Sequence, residues 1–70
     1  MNIFTAKSND KIRYSNESSG DEYSIENAKK YLILNDIYTI DYIDLHSFIC
    51  YVYLKEFPNE QFNSVQFENI

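Results

Sequence analysis

Residues 42–57 read YIDLHSFICYVYLKEF, and the conformation of this segment determines the fold class predicted for the whole chain. The segment has no Gly or Pro, and Pro58 follows it directly, as proline often does at the end of a helix. We predict a helix over residues 42–57, capped by Thr39 or Asp41. At helical spacing, one side of it is polar or amphipathic: Asp44, Ser47, Tyr51 and Lys55. The opposite side is apolar and is expected to face the core: Leu45, Phe48, Ile49 and Val52.

The apolar run from Phe48 to Leu54 inside this segment would, taken alone, also fit a buried strand. The helix is favoured because the polar side extends over three turns. Between Phe48 and Leu54, such a helix would be apolar on nearly every side. We therefore expect its second face to be covered, either by a partner or by a second copy of the chain.

A first helix is predicted upstream, over about residues 25–35. Ser24 is a suitable N-cap, because its hydroxyl can accept a hydrogen bond from the first turn. Helical spacing places three apolar residues on one face: Ile25, Ala28 and Leu32. An alternative remains open, in which residues 31–40 form a hairpin around Asn35 and Asp36. This alternative is weaker because the two residues lack the glycine that such turns favour.

Short apolar or alternating segments near both ends predict strands over residues 3–6, 11–15 and 65–68. The first two would form a hairpin around a turn at residues 8–10, and residues 15–22 and 59–61 are predicted loops. The element order is then β-β-α-α-β. It describes a single α+β domain over residues 1–70, with a three-stranded antiparallel sheet and two helices packed on one face.

The composition is that of a small folded protein that depends on dense packing or association. A chain of 70 residues buries only about 60% of its unfolded surface, and one Cys cannot form an internal disulfide. Seven Tyr and five Phe supply packing area. No apolar run approaches the roughly 20 residues of a membrane span, and residues 1–7 lack the pattern of a signal peptide. We expect a cytoplasmic protein without a membrane partner.

The negative charge is concentrated in the second part of the chain. Residues 1–30 hold five basic and five acidic side chains, whereas residues 31–70 hold one Lys against six Asp and Glu. Such a region repels phosphate backbones and attracts basic protein surfaces. Direct binding of nucleic acid by the protein is therefore not expected.

Residues that could carry chemistry lack the neighbours that chemistry needs. His46 has no nucleophile arrangement beside it, and Cys50 lies in an apolar run without the positive surroundings of a reactive thiolate. Asp36, Asp41 and Asp44 do not have the glycine and closing Glu of an EF-hand loop. We predict no catalytic, cofactor-binding or metal-binding residues, and we do not expect an enzyme.

Acidic and aromatic residues together form the one pattern that indicates a function. Aromatic residues with charged neighbours are typical of protein interfaces, and too many tyrosines occur here for all of them to fit in so small a core. The residues predicted to bind a partner are Asp36, Tyr38, Asp41, Tyr42, Asp44, Tyr51 and Glu56.

The favoured function is a small acidic inhibitor or regulator that occupies a basic, nucleic-acid-handling surface of a larger protein. In size, charge and composition the chain is similar to phage-encoded inhibitors of host defence, anti-CRISPR proteins included, but it carries no sequence motif of such a family. One alternative is a homo-oligomeric structural or accessory subunit, such as a homodimer formed through the second helix. A further alternative is a nucleic-acid-binding module that uses the N-terminal hairpin, with basic residues and two rings: Lys7, Lys11, Arg13, Lys29, Lys30, Phe4 and Tyr14.

Overall fold

Antiparallel strands are the main regular structure of the computed structural model, which describes residues 6–70. Five strands form one sheet: β1 (Lys11–Tyr14), β2 (Ile37–Leu45), β3 (Cys50–Leu54), β4 (Phe57–Asn63) and β5 (Phe67–Asn69). Their spatial order is β4-β3-β2-β1-β5. Within the described residues there is one α-helix, α1 (Glu22–Tyr31), and one short 3-10 helix (Ser64–Gln66). The predicted fold class, a three-stranded sheet with two helices, is therefore wrong.

Residues 42–57 form a β-hairpin of β2 and β3 and include the first residue of β4. The second predicted helix does not form. Leu45 pairs with Cys50, and between them the His46 N–H donates to the Ile49 carbonyl oxygen at 3.0 Å. Half of the residues in this segment are β-branched or aromatic, and these types pack well on a pleated sheet. The predicted caps, Thr39 and Asp41, are both inside β2.

The same polar positions fit both helix and strand, and this explains the error. Asp44 and Tyr51 face each other across β2 and β3, while Ser47 lies in the loop between these strands and Lys55 in the turn that follows β3. All four are therefore accessible in a hairpin, although their spacing also matches one side of a helix. The loop at residues 46–49 contains no Gly, Pro, Asn or Asp, and Ser47 alone is a weak turn signal.

Helix α1 confirms the first predicted helix but begins and ends earlier than predicted. Its N-cap is Asp21 rather than Ser24, and Ser24 donates to the Asp21 carboxylate from its backbone N–H and its hydroxyl, at 3.3 and 2.6 Å. The helix ends before Leu32, and Asn35 follows in the left-handed region at φ 72°. In the alternative hairpin, residues 37–40 are indeed strand, but residues 31–34 are not.

Other local predictions had mixed outcomes. The strand at residues 11–15 and the turn before it are present, with Asn9 at φ 75°. In the strand predicted at residues 3–6, positions 3–5 lie outside the described residues, and Ala6 is not in a strand. Residues 59–61, predicted as a loop, belong to β4. In the last predicted strand, residues 65–66 belong to the 3-10 helix and only residues 67–68 to β5.

Helix α1 and the inward side chains of the sheet enclose the core on one face. Ala28 and Leu32 pack from the helix side against buried side chains of the strands: Ile12, Tyr14, Tyr38, Ile40, Val52, Leu54, Phe62 and Phe67. Of the four residues predicted to face the core from a second helix, only Val52 does so. No helix in the described part of the chain is long and apolar enough to cross a membrane.

Candidate functional site

A β-bulge in β2 determines which residues of the hairpin face away from the core. Ile40 pairs with Leu54 and Tyr42 pairs with Tyr53, so Asp41 is an extra residue without a partner in β3. Strict alternation after Ile40 would direct Tyr42 inward. The extra residue shifts the alternation by one position, and Tyr42 therefore lies on the opposite face from Ile40.

Two tyrosines form a stacked pair on this outer face. The rings of Tyr42 and Tyr53 are nearly parallel, with centroids 4.4 Å apart and planes inclined by 9°. Tyr42 remains 50% exposed. Desolvation among its neighbours raises the pKa of the Tyr42 phenol, and Tyr53 and the carboxylates of Asp44 and Asp41 raise it further. The pair is thus an aromatic platform in an electronegative environment.

Asp44 follows Tyr42 on the same face and is held by two neighbours near the end of the hairpin. It lies directly opposite Tyr51, and its Oδ2 is 3.1 Å from His46 Nε2. The His46 ring in turn meets Tyr51 edge to face, with centroids 5.5 Å apart. The Asp44 side chain is 42% exposed, so its carboxylate is oriented but accessible. We call Asp41, Tyr42, Asp44, Tyr51 and Tyr53 the outer hairpin face.

The end of the hairpin is apolar and open. Phe48 is fully exposed and Leu45 is 66% exposed. A shallow depression of about 490 Å³ lies beside them, lined by His46, Ser47, Phe48, Ile49 and Tyr51. Exposed large apolar side chains next to an acidic and aromatic face are typical of a contact surface. The depression is next to the outer hairpin face, since Tyr51 belongs to both.

The structure brings four of the seven predicted partner-binding residues together: Asp41, Tyr42, Asp44 and Tyr51. Asp36 lies before the first residue of β2, at the opposite end of this nine-residue strand from Asp44. Tyr38 is buried in the core, and its hydroxyl accepts a hydrogen bond from the Ile33 N–H at 2.9 Å. The Glu56 carboxylate accepts from the Thr39 N–H at 2.9 and 3.2 Å, so it links the β3–β4 turn to β2.

Sequence reasoning did not include Tyr53, His46 and Phe48 among the site residues. The alternation of tyrosines with apolar residues in Tyr51-Val52-Tyr53-Leu54 was the signal that could have identified Tyr53. It places both tyrosines on one face of a strand. For His46 and Phe48 the sequence offers no signal, because their positions follow from the loop that joins β2 to β3.

The N-terminal basic segment is less suited to stacking on bases than its composition predicted. Tyr14 is buried in the core beside Phe67, and Phe4 lies outside the described residues. The Arg13 guanidinium is paired with the Glu68 carboxylate on β5 at 3.2 Å. One of the two predicted rings is thus unavailable to a nucleic acid, and one cation is already neutralised.

Comparison with known proteins places this chain in a phage family. The family model described as Bacteriophage T4 protein Y07B matches residues 11–70, and this range includes all five strands and the helix. The chain belongs to this family of phage proteins. No curated protein and no solved structure matches it significantly.

Proposed function

We propose that this phage protein is a small inhibitor or regulator that binds a basic, nucleic-acid-handling surface of a larger protein in the cytoplasm. The observation that carries the proposal is the outer hairpin face. There, the stacked rings of Tyr42 and Tyr53 lie beside the exposed carboxylate of Asp44. Aromatic side chains supply contact area at a low cost in conformational entropy, and carboxylates supply attraction to basic residues.

The distribution of charge supports the same partner class. Residues 31–70 carry one Lys against six acidic residues, and they include all of β2, β3 and β4. A surface of this sign accelerates association with a basic partner and is repelled by phosphate backbones. Carboxylates on such a surface could take the positions that phosphates occupy in a basic cleft. Membership of a phage family agrees with an action on a host protein, and an anti-defence role such as that of anti-CRISPR proteins is one form of it.

A homo-oligomeric accessory role is the second candidate function. The helix through which self-association was first expected does not exist, but the fully exposed Phe48 offers another contact. Phe48 and the partly exposed Ile49 line the same depression, and a patch of exposed apolar side chains favours association. Sedimentation of the wild-type protein and of Phe48→Ser at micromolar concentration tests this role. The role requires that the wild type forms an oligomer and that the variant does not.

The main test compares three forms of the protein immobilised as bait in a lysate of the phage's bacterial host. Asp44→Lys reverses a charge on the outer hairpin face, and Glu26→Lys makes the same change on α1, which covers the opposite face. We expect the wild type and Glu26→Lys to retain a basic nucleic-acid-binding protein that Asp44→Lys loses. Association with the purified partner should slow as salt rises.

Two outcomes would contradict the proposal. One is equal capture by Asp44→Lys and Glu26→Lys, which would mean that the outer hairpin face is not the contact. The other is an association rate that does not change between low and physiological salt. Binding would then depend on apolar contacts rather than on attraction between opposite charges.

A further inference from the structure

The outer hairpin face combines a flat ring with an oriented carboxylate, and this combination distinguishes between the two basic side chains. Tyr53 covers one side of the Tyr42 ring, yet Tyr42 remains 50% exposed. Asp44 is two residues further along the same face, so its Cα lies about 7 Å from that of Tyr42. Its hydrogen bond to His46 uses Oδ2, and the carboxylate remains 42% exposed.

Arginine fits this arrangement better than lysine. A guanidinium is planar and weakly hydrated, so it can stack on an aromatic ring while its N–H groups point along the ring plane to a neighbouring carboxylate. An ammonium is a compact, strongly hydrated charge that can satisfy the carboxylate but gains less from the ring. The electronegative surroundings of Tyr42, which also raise the pKa of its phenol, favour a cation above this ring.

We infer that the outer hairpin face selects arginine over lysine in its partner, with the guanidinium stacked on Tyr42 and paired with Asp44. This inference rests on the proposed function, because it names the chemical group that a basic partner would contribute. The molecule expected to bind this sheet face is therefore an arginine-bearing segment of another protein. Charge complementarity with Asp41 and Asp44 and the flat ring of Tyr42 are the observations that carry it.

The test uses two capped peptides of equal length and charge, hexa-arginine and hexa-lysine, titrated into the full chain labelled with ¹⁵N. We expect both to shift the amide signals of Tyr42 and Asp44, and the arginine peptide to bind roughly two- to fivefold more tightly. In the wild type, the arginine side-chain protons should also move upfield, because a ring lies against them. This second readout does not depend on any variant being folded.

Variants separate the ring from the charge. Tyr42→Leu should bring the ratio of the two affinities close to one, whereas Tyr42→Phe should retain the preference for arginine. Asp44→Asn should weaken both peptides, and Glu26→Gln on α1 should change neither. Each variant is first compared with the wild type by circular dichroism and thermal melting.

The outcomes distinguish failure of the inference from failure of the proposed function. Equal affinities for the two peptides, with Asp44→Asn still weakening both, would overturn the selection of arginine alone. Binding of neither peptide, or an Asp44→Asn variant that binds as the wild type does, would overturn both. Self-association that Tyr42→Leu abolishes, or binding of a single-stranded oligonucleotide to this face, would assign it to another occupant and would also overturn the inference.

Discussion

The paired strands β2 and β3 have a covered end and an open end, and similar residues have different roles in each. At the covered end, Ile40 and Leu54 pair with each other and are completely buried under α1 and its neighbours. At the open end, Tyr42 and Tyr53 also pair, but they face outward and stack on one another. The bulge at Asp41 separates these two ends. Apolar residues therefore contribute to stability before the bulge, and after it some of them are available for contacts with other molecules.

The difference also shows why the count of aromatic residues alone could not locate the site. Phe62 packs at the centre of a ring cluster with Tyr31, Phe57 and Phe67. Phe48, by contrast, touches nothing that would cover it and is fully exposed. Residue type alone therefore does not determine burial here, because the same aromatic type is buried at one position of the fold and exposed at another. Substitutions at the covered end should therefore change stability more than substitutions at the open end.

Phe62→Ala should produce the largest effect, because it removes a completely buried ring from the covered face. Truncation of a buried phenylalanine costs about 3–5 kcal/mol, as much as the whole stability expected of a domain this small. The variant should be largely unfolded by circular dichroism at room temperature. A cooperative thermal transition close to that of the wild type would show that the ring cluster is not the centre of the core.

The sequence predicted local features well wherever one signal was sufficient. The polar loop before α1, the turn at Asn9 and the strand β1 all follow from residue types within a few positions. The prediction for residues 42–57 failed because their polar positions fit a helix and a hairpin equally well. Only the loop at residues 46–49 distinguishes the two structures. Ser47 is the one turn-favouring residue in that loop, so closure of the loop depends mainly on pairing along the strands.

The candidate site was predicted in composition and not in arrangement. Four of its residues were identified because acidic and aromatic side chains cluster in one part of the sequence. These residues share one face because of the bulge at Asp41. A bulge cannot be recognised in a sequence whose alternation of polar and apolar residues is already irregular. Tyr38 illustrates the same limit, since it precedes the bulge and is buried in the core.

Gln66→Leu should stabilise the covered face. The Gln66 side chain is completely buried, and neither its amide oxygen nor its nitrogen has a hydrogen-bond partner in the part of the chain that the structure describes. An unpaired buried amide costs about 1–3 kcal/mol, which an apolar residue of similar volume avoids. Urea unfolding should therefore show an increase of about 1–2 kcal/mol.

The exposed Gln61 provides the control for this substitution. Its side chain lies on β4 outside the core, so Gln61→Leu should leave the unfolding midpoint nearly unchanged. A loss of stability in Gln66→Leu would mean that the buried amide has a partner that contributes to the fold.

Asp21→Ala should lower the melting temperature by a smaller amount and in a manner that depends on pH. The hydroxyl of Ser24, which donates to the carboxylate, lowers the pKa of Asp21 below its usual value. A lowered pKa in the folded state means that the carboxylate stabilises the protein above its unfolded pKa. This stabilisation disappears as pH falls through the folded pKa.

Melting temperatures of the wild type and Asp21→Ala should therefore differ at pH 7 and converge as pH falls well below 4. Asp36→Ala is the matched control, because its carboxylate belongs to an exposed turn residue outside α1. A difference between Asp21→Ala and the wild type that persists unchanged at the lowest pH would show that the cap does not depend on the ionised carboxylate.

Phe48→Ala should have the smallest effect on stability, and it tests the open end directly. A surface substitution without buried contacts changes stability by no more than about 0.5 kcal/mol. Val52→Ala is the comparison, because Val52 is completely buried and a helix would place it on the same face as Phe48. Loss of its buried methyl groups should cost about 1.5–3 kcal/mol. Urea unfolding of both variants beside the wild type measures the contrast.

In a helix over residues 42–57, both side chains would contribute to the core, and both substitutions would be costly. In the hairpin, Phe48 belongs to the loop after β2, whereas Val52 pairs with Ile43 and is buried in the core. If Phe48→Ala lowered the free energy of unfolding as much as Val52→Ala does, this result would contradict both the hairpin and its open end. If Phe48→Ala leaves stability unchanged but weakens binding to the proposed partner, the hairpin end contributes to binding and not to folding. The contact surface would then extend from the stacked tyrosines across the depression beside Tyr51.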